Sequence, residues 1–184
     1  MLKSYDLCGP NPNPMTVAEV DALKKLVTDE LDFSPPVIVN IGAERGVSTM
    51  AFLEACPGAS ILSVDVGICE TEIENLKAGG LNHERVIRLL GRSQVIGTAF
   101  PCVADFIFVD GDHSEAGVAG DIKAWDERLI VNGIMAFHDY IPEPIPPEIK
   151  GRVCYAVDKS PILEAKYKKI LQVERVIAFR KMTK

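Results

Sequence analysis

The chain has 184 residues, 47% apolar and 25% charged, with a formal net charge of -6. A chain of this length buries roughly 70% of its unfolded surface in one domain without disulfide or metal staples, so residues 1–184 read as a single domain. The acidic balance and the lack of a basic stripe exclude electrostatic support for a nucleic-acid or anionic-membrane partner, and no window approaches the ~18 apolar residues of a membrane span.

Residues 1–14 read as a turn-rich leader, because the GPNPNP run fixes φ at its prolines and disfavours helix before them. It lacks the apolar run of a signal peptide, so the expectation is a cytoplasmic protein. Residues 15–33 predict an amphipathic helix: Thr16 and Glu19 form a capping box, and Val17, Val20, Leu23, Leu26, Val27 and Leu31 follow at helical spacing. Pro35-Pro36 stops it. VIVNIG (37–42) is a first strand, followed by a helix over 43–56. A second strand within 59–67 ends at Asp65, and 68–79 reads as a helix broken by Gly79-Gly80. A third strand (85–91) and a short helix from Ser93 precede the fourth strand, DFIFVDGD (105–112). Residues 114–130 predict a helix with Val118, Ile122, Trp125 and Leu129 on one face. GIMAFHDY (133–140) is a fifth strand, IPEPIPPE a proline-rich loop, and a helix over 151–165 and strands near 168–173 and 175–180 finish the chain.

Short strands that are apolar throughout, alternating with helices, predict a doubly wound, mostly parallel α/β sheet of seven strands with helices on both faces. In such sheets ligands sit beyond the carboxyl ends of the strands. The polar clusters lie at those ends: Gly42 to Gly46, Asp65, Gly91-Arg92-Ser93, Asp110 to His113, and His138-Asp139.

Gly42 permits a tight turn and Gly46 a close approach, with the free N–H groups of the next helix and Ser48 ready for a polar ligand. The spacing matches neither GxGxxG nor a phosphate-cradling GxxxxGK[ST] loop, which argues against NAD and ATP. Asp65, some twenty residues on, suits two ribose hydroxyls, because a carboxylate is a bidentate acceptor. The cysteines (Cys8, Cys56, Cys69, Cys102, Cys154) lack CxxC or zinc spacing and read as free thiols. His83 and the lysines Lys166, Lys168 and Lys169 read as solvated, and Trp125 as core.

The ordered set IGAERGVS, VD, GRSQ, FIFVDGDH and AFHD, over residues 37–140, resembles the class I S-adenosylmethionine-dependent methyltransferases. Within them it is similar to small O-methyltransferases of the catechol type and to the group containing macrocin O-methyltransferase and cephalosporin-hydroxylase-like proteins. The resemblance implies the Rossmann-like methyltransferase fold and S-adenosyl-L-methionine as cofactor. It implies that Gly42, Ala43, Glu44 and Ser48 line the methionine end, that Asp65 takes the ribose, and that Val66, Arg92, Ser93 and Gln94 border the adenine. Asp110 is then near the methionine and, with His138 and Asp139, forms the expected metal set. Oxygen ligands suit Mg²⁺, and an added imidazole favours Mn²⁺ or Fe²⁺; the alternative is that His138 orients Asp139 and no metal binds. His113 stands where catechol-type enzymes carry a catalytic lysine, and a group titrating near neutrality can take a proton from an acceptor hydroxyl. Asp112 is read as support. Asn40 stands where the family usually has an acid, and Arg92 where many relatives carry a small or acidic residue.

The implied function is methyl transfer to a hydroxyl of a small-molecule acceptor, with possible assistance from a divalent metal. The alternative is a cofactor-binding domain of the same fold with lost or different activity, hydroxylase-like or an interaction protein. Edge elements near the C-terminus are candidates for pairing two protomers as a homodimer.

Overall fold

In the computed structural model, residues 1–9, 15–32, 35–67, 70–142 and 153–184 are described. Seven strands form one sheet: β1 (Val37–Ile41), β2 (Ser60–Asp65), β3 (Val86–Leu90), β4 (Ala104–Val109), β5 (Leu129–Phe137), β6 (Tyr167–Val173) and β7 (Val176–Lys181). Their order is β3-β2-β1-β4-β5-β7-β6, parallel throughout except that β7 runs antiparallel to both β5 and β6. The strand order reverses between β1 and β4, and this switch opens the crevice that forms the site.

Both faces of the sheet are apolar because both are covered. On one face Ile38, Phe106 and Phe108 meet Leu23 and Leu26 of α1 (Val17–Asp29), Phe52 of α2 (Val47–Ala55) and Leu76 of α3 (Glu70–Ala78). Phe52 packs edge-on against Phe106 and Phe108, with centroids 5.3 and 6.0 Å away. On the other face Val39, Ile107 and Val109 meet Val118, Ile122 and Trp125 of α5 (Glu115–Trp125), with α4 (Ser93–Ala99), α6 (Val153–Asp158) and α7 (Pro161–Lys166) alongside. Alternate residues of one strand therefore serve two cores, which is why the strands show no alternation of polarity. The Thr16–Glu19 capping box is formed as the sequence predicts.

Several boundaries differ from the sequence reading: β4 ends at Val109 and β5 at Phe137, so Asp110 and His138-Asp139 stand just beyond the strands. α5 stops at Trp125, a 3-10 turn (Asp126–Arg128) follows, and β5 begins at Leu129, with a register shift against Ala104–Phe106. The helix expected over 151–165 is two short ones: Ser160 caps α7 and Pro161, lacking an N–H, occupies its first turn. Lys166 is not a solvated charge but donates to Asp126 at 2.5 Å. Residues 10–14 of the leader, Ile68, Cys69 and most of the proline-rich loop lie outside the described residues. Among the described residues no helix is long and apolar enough to cross a membrane.

Candidate active site

The β1–α2 turn is shaped by its glycines. Gly42 has φ of 79° and donates its N–H to the Val64 carbonyl at 2.8 Å. A Cβ at Gly42 would stand 2.2 Å from the Asp110 carbonyl oxygen, so only glycine lets the ends of β1 and β4 come this close. Gly46 opens α2 at φ 83°, against the Glu72 side chain. Buried Asn40 donates its amide to the hydroxyls of Ser48 and Thr49, each at 2.9 Å, and Thr49 donates onward to Glu72 at 2.6 Å. The carboxyl absent at Asn40 is thus supplied two hydrogen bonds away by α3. Burial pushes the Glu72 pKa up, against hydrogen bonds from Thr49 and Ser63.

A cleft of about 740 Å³ runs across the strand ends, within the usual size of a small-molecule site. Gly42, Glu44, Asp65, Val66, Arg92, Ser93, Gln94, Asp110, His113, His138 and Asp139 all line it. Two of the expected cofactor residues do not. Ser48 is buried behind the turn on Asn40, and Ala43 lines a separate hollow of about 180 Å³ beside Glu72 and Arg88. Asp65 accepts the Glu44 N–H at 3.2 Å and the Gly67 N–H at 3.1 Å, so its carboxylate is oriented and still has lone pairs to offer. On α4, Ser93 accepts the Trp125 indole N–H at 3.0 Å and donates to Asp121, while Gln94 donates to the Gly117 carbonyl at 3.2 Å.

The other end of the cleft is a cluster of charges. His113 Nε2 lies 3.3 Å from Asp110 Oδ1 and its Nδ1 3.3 Å from Asp139 Oδ2. His138 Nδ1 lies 3.2 Å from Asp110 and its Nε2 3.2 Å from buried Glu19 of α1. Arg175, in the turn between β6 and β7, binds Glu19 through Nε at 3.0 Å and Asp139 at 2.8 Å. Asp139 is held at φ 53° and Glu44 at φ 45°, left-handed conformations that cost non-glycine residues energy and cluster at functional sites.

Burial opposes charge on His138, but its bonds to Asp110 and Glu19 win and raise its pKa to about 10. Burial likewise opposes ionisation of Glu19, yet bonds from His138, Thr16 and Arg175 lower it to about 2. The Asp110 pKa is lowered because the His113 and His138 bonds outweigh its burial, and the bond to Asp110 raises that of His113.

These contacts bear on the expected metal set. His138 is 3% exposed and faces carboxylates through both nitrogens, Asp110 at the cleft and buried Glu19 behind it. Among the described residues, Asp110, His113 and Asp139 each offer one ligand atom, all within 4.8 Å of one another. Two of the three expected metal residues, Asp110 and Asp139, are in this group, with His113 beside them.

Three residues escaped the sequence reading. Glu19 was visible only as a capping residue, and Arg175 carried no motif. Asp121 left a signal: it lies three residues after Val118 and four before Trp125, a carboxylate on the helix face that packs inward.

A family model described as a methyltransferase domain matches residues 39–140. That is more than half of the chain, which belongs to this family of methyltransferase domains. Solved structures give the same fold at low identity. A candidate caffeoyl-CoA O-methyltransferase from Staphylococcus aureus is 15% identical with a TM-score of 0.72, the match covering 95% of this chain and 86% of that one. A candidate O-methyltransferase from Klebsiella pneumoniae is 14% identical with a TM-score of 0.71, covering 98% and 87%. The SAH-bound methyltransferase PaMTH1 of Podospora anserina is 19% identical with a TM-score of 0.67, covering 89% and 78%.

Proposed function

We propose that this chain is an S-adenosylmethionine-dependent O-methyltransferase acting on a small-molecule hydroxyl, with a divalent cation held by Asp110, Asp139 and His113. One observation carries the reading: a single cleft joins Asp65, a free ribose acceptor at the end of β2, to the carboxylate–imidazole cluster at the ends of β4 and β5. The SAH-bound relative and the O-methyltransferase relatives of this fold support the donor and the acceptor atom.

The donor fits the residues present. Asp65 is oriented by two backbone N–H groups, and the pinched glycine turn brings backbone rather than side chains to the cleft. When bound, S-adenosylmethionine would supply an electrophilic sulfonium methyl; transfer would break the S–C bond and form a C–O bond, with the hydroxyl proton passing to water in the open cleft. A divalent ion held by Asp110, Asp139 and His113 would supply Lewis acidity toward that hydroxyl. Two carboxylate oxygens and one imidazole nitrogen suit Mn²⁺ or Fe²⁺ better than Mg²⁺. The bond to Asp110 raises the His113 pKa, so this imidazole must release a proton before it can ligate an ion or act as a base. Arg175 and His138 hold Asp139 and Asp110 for the task.

Mn²⁺ titration followed by electron paramagnetic resonance tests the cation site. One ion per chain is expected, with binding weakened by at least about tenfold in Asp139→Ala and in His113→Ala. Because a protonated imidazole must release its proton to bind, affinity weakens as pH falls. Equal Mn²⁺ affinity in wild type and both variants contradicts the site. Release of S-adenosylhomocysteine from S-adenosylmethionine in the presence of hydroxylated small molecules tests the transfer itself.

A further inference from the structure

Asp121 has no part in the chemistry described above, yet it lines the cleft and is only 1% exposed. It projects from the inner face of α5, between the turns that carry Val118 and Trp125, where a carboxylate is costly unless paired. Among the described residues it has no cationic partner, and its one hydrogen bond is from Ser93 to Oδ1. That bond has a fixed direction. The Ser93 oxygen accepts the Trp125 N–H at 3.0 Å, so its single O–H is directed to Asp121. No fully buried side-chain oxygen among the described residues lacks a partner, so Oδ2 of Asp121 keeps access to the cleft. Burial pushes the pKa of this carboxyl up to about 6, with Asp112 adding to the effect. Asparagine in the same place would keep the Ser93 contact without the buried charge, so packing alone does not account for an acid here.

We propose that Asp121 selects the base of the bound nucleoside: its free carboxylate oxygen accepts a hydrogen from the exocyclic amine of a 6-aminopurine. The inference rests on the nucleoside reading of the cleft, in which Asp65 takes the ribose and Ser93 and Gln94 border the base. Gln94 is anchored through its nitrogen, which donates to the Gly117 carbonyl at 3.2 Å, so its uncharged oxygen is a second, weaker acceptor on the same wall. A 6-oxopurine would point its own acceptor at the carboxylate, leaving two acceptors facing each other without a proton between them. A site built around a hydrogen bond rejects the analogue that cannot make it far more strongly than an apolar pocket does.

The test is calorimetric, with S-adenosylhomocysteine and its deaminated counterpart S-inosylhomocysteine as probes on wild type and Asp121→Asn. Wild type is expected to prefer the amino compound by at least about 100-fold. In Asp121→Asn the amide can turn its N–H₂ to a 6-oxo group, so the preference shrinks by at least about tenfold. A wild-type preference under threefold overturns the proposal without need of any variant, as does an unchanged preference in a folded Asp121→Asn. Wild-type binding of S-adenosylhomocysteine in either case leaves the methyltransferase reading standing. Failure of wild type to bind both compounds overturns the nucleoside reading and this proposal together.

Discussion

His138 and Glu19 are a buried pair whose charges hold the cluster at the cleft in one arrangement. The His138 pKa rises from an ordinary 6.5 to about 10, so the stability it contributes is full below pH 6.5 and is lost as pH rises toward 10. The Glu19 pKa falls from 4.5 to about 2, so its contribution is full above pH 4.5 and is lost as pH falls toward 2. The two together predict a plateau of stability between about pH 4.5 and 6.5, with decline on both sides. Urea unfolding across this range checks it; a midpoint that stays constant from pH 6.5 to 9.5 contradicts a charged His138. Glu19→Gln leaves the cations of His138 and Arg175 without their shared anion and is expected to destabilise by about 3–5 kcal/mol. Asp121 has the opposite sign. Its pKa is raised by burial, so the ionised form is the disfavoured one, and Asp121→Asn is expected to stabilise the protein at pH 8 by roughly 1–3 kcal/mol in the same assay.

The β1–α2 turn fixes how the elements meet, and its two glycines are not equivalent. A Cβ at Gly42 meets backbone, the Asp110 carbonyl at 2.2 Å, whereas one at Gly46 meets the Glu72 Cγ at 2.8 Å, a side chain that can move. Both have left-handed φ, which alone costs about 1–2 kcal/mol for alanine. Gly46→Ala is therefore expected to lose about that much, while Gly42→Ala loses more and spreads the ends of β1 and β4. Thermal melts that rank the two variants equally contradict the pinch. The strands were legible because burial on both faces leaves a continuous apolar run that needs no tertiary knowledge to find. The start of β5 was not, since Leu129 and Ile130 continue a helical spacing and only pairing with β4 makes them strand. The break at Ser160-Pro161 was present in the sequence as a cap followed by proline, but the helical pattern on both sides concealed it.

At the scale of the molecule, the family segment spans residues 39–140, yet two of the charges that fix the site come from outside it. Glu19 arrives from α1 and Arg175 from the β6–β7 turn, and both meet at His138 and Asp139. Each strand-end residue of the cleft could be read from sequence because topology alone brings strand ends together. The partners of His138 could not, since they depend on which long-range carboxylates fold against it. For that reason the sequence places His138 at a strand end beside Asp110 but does not show that both its nitrogens face carboxylates, while Asp65, Ser93 and Gln94 line the other end of the cleft.

The most direct test of the whole account is calorimetric titration of wild type and Asp65→Ala with S-adenosylhomocysteine. The account predicts one site per chain in wild type and a loss of roughly 10- to 100-fold in the variant, the value of charge-assisted hydrogen bonds to two hydroxyls. No binding by wild type at high micromolar concentration, or equal affinity in Asp65→Ala, would contradict it.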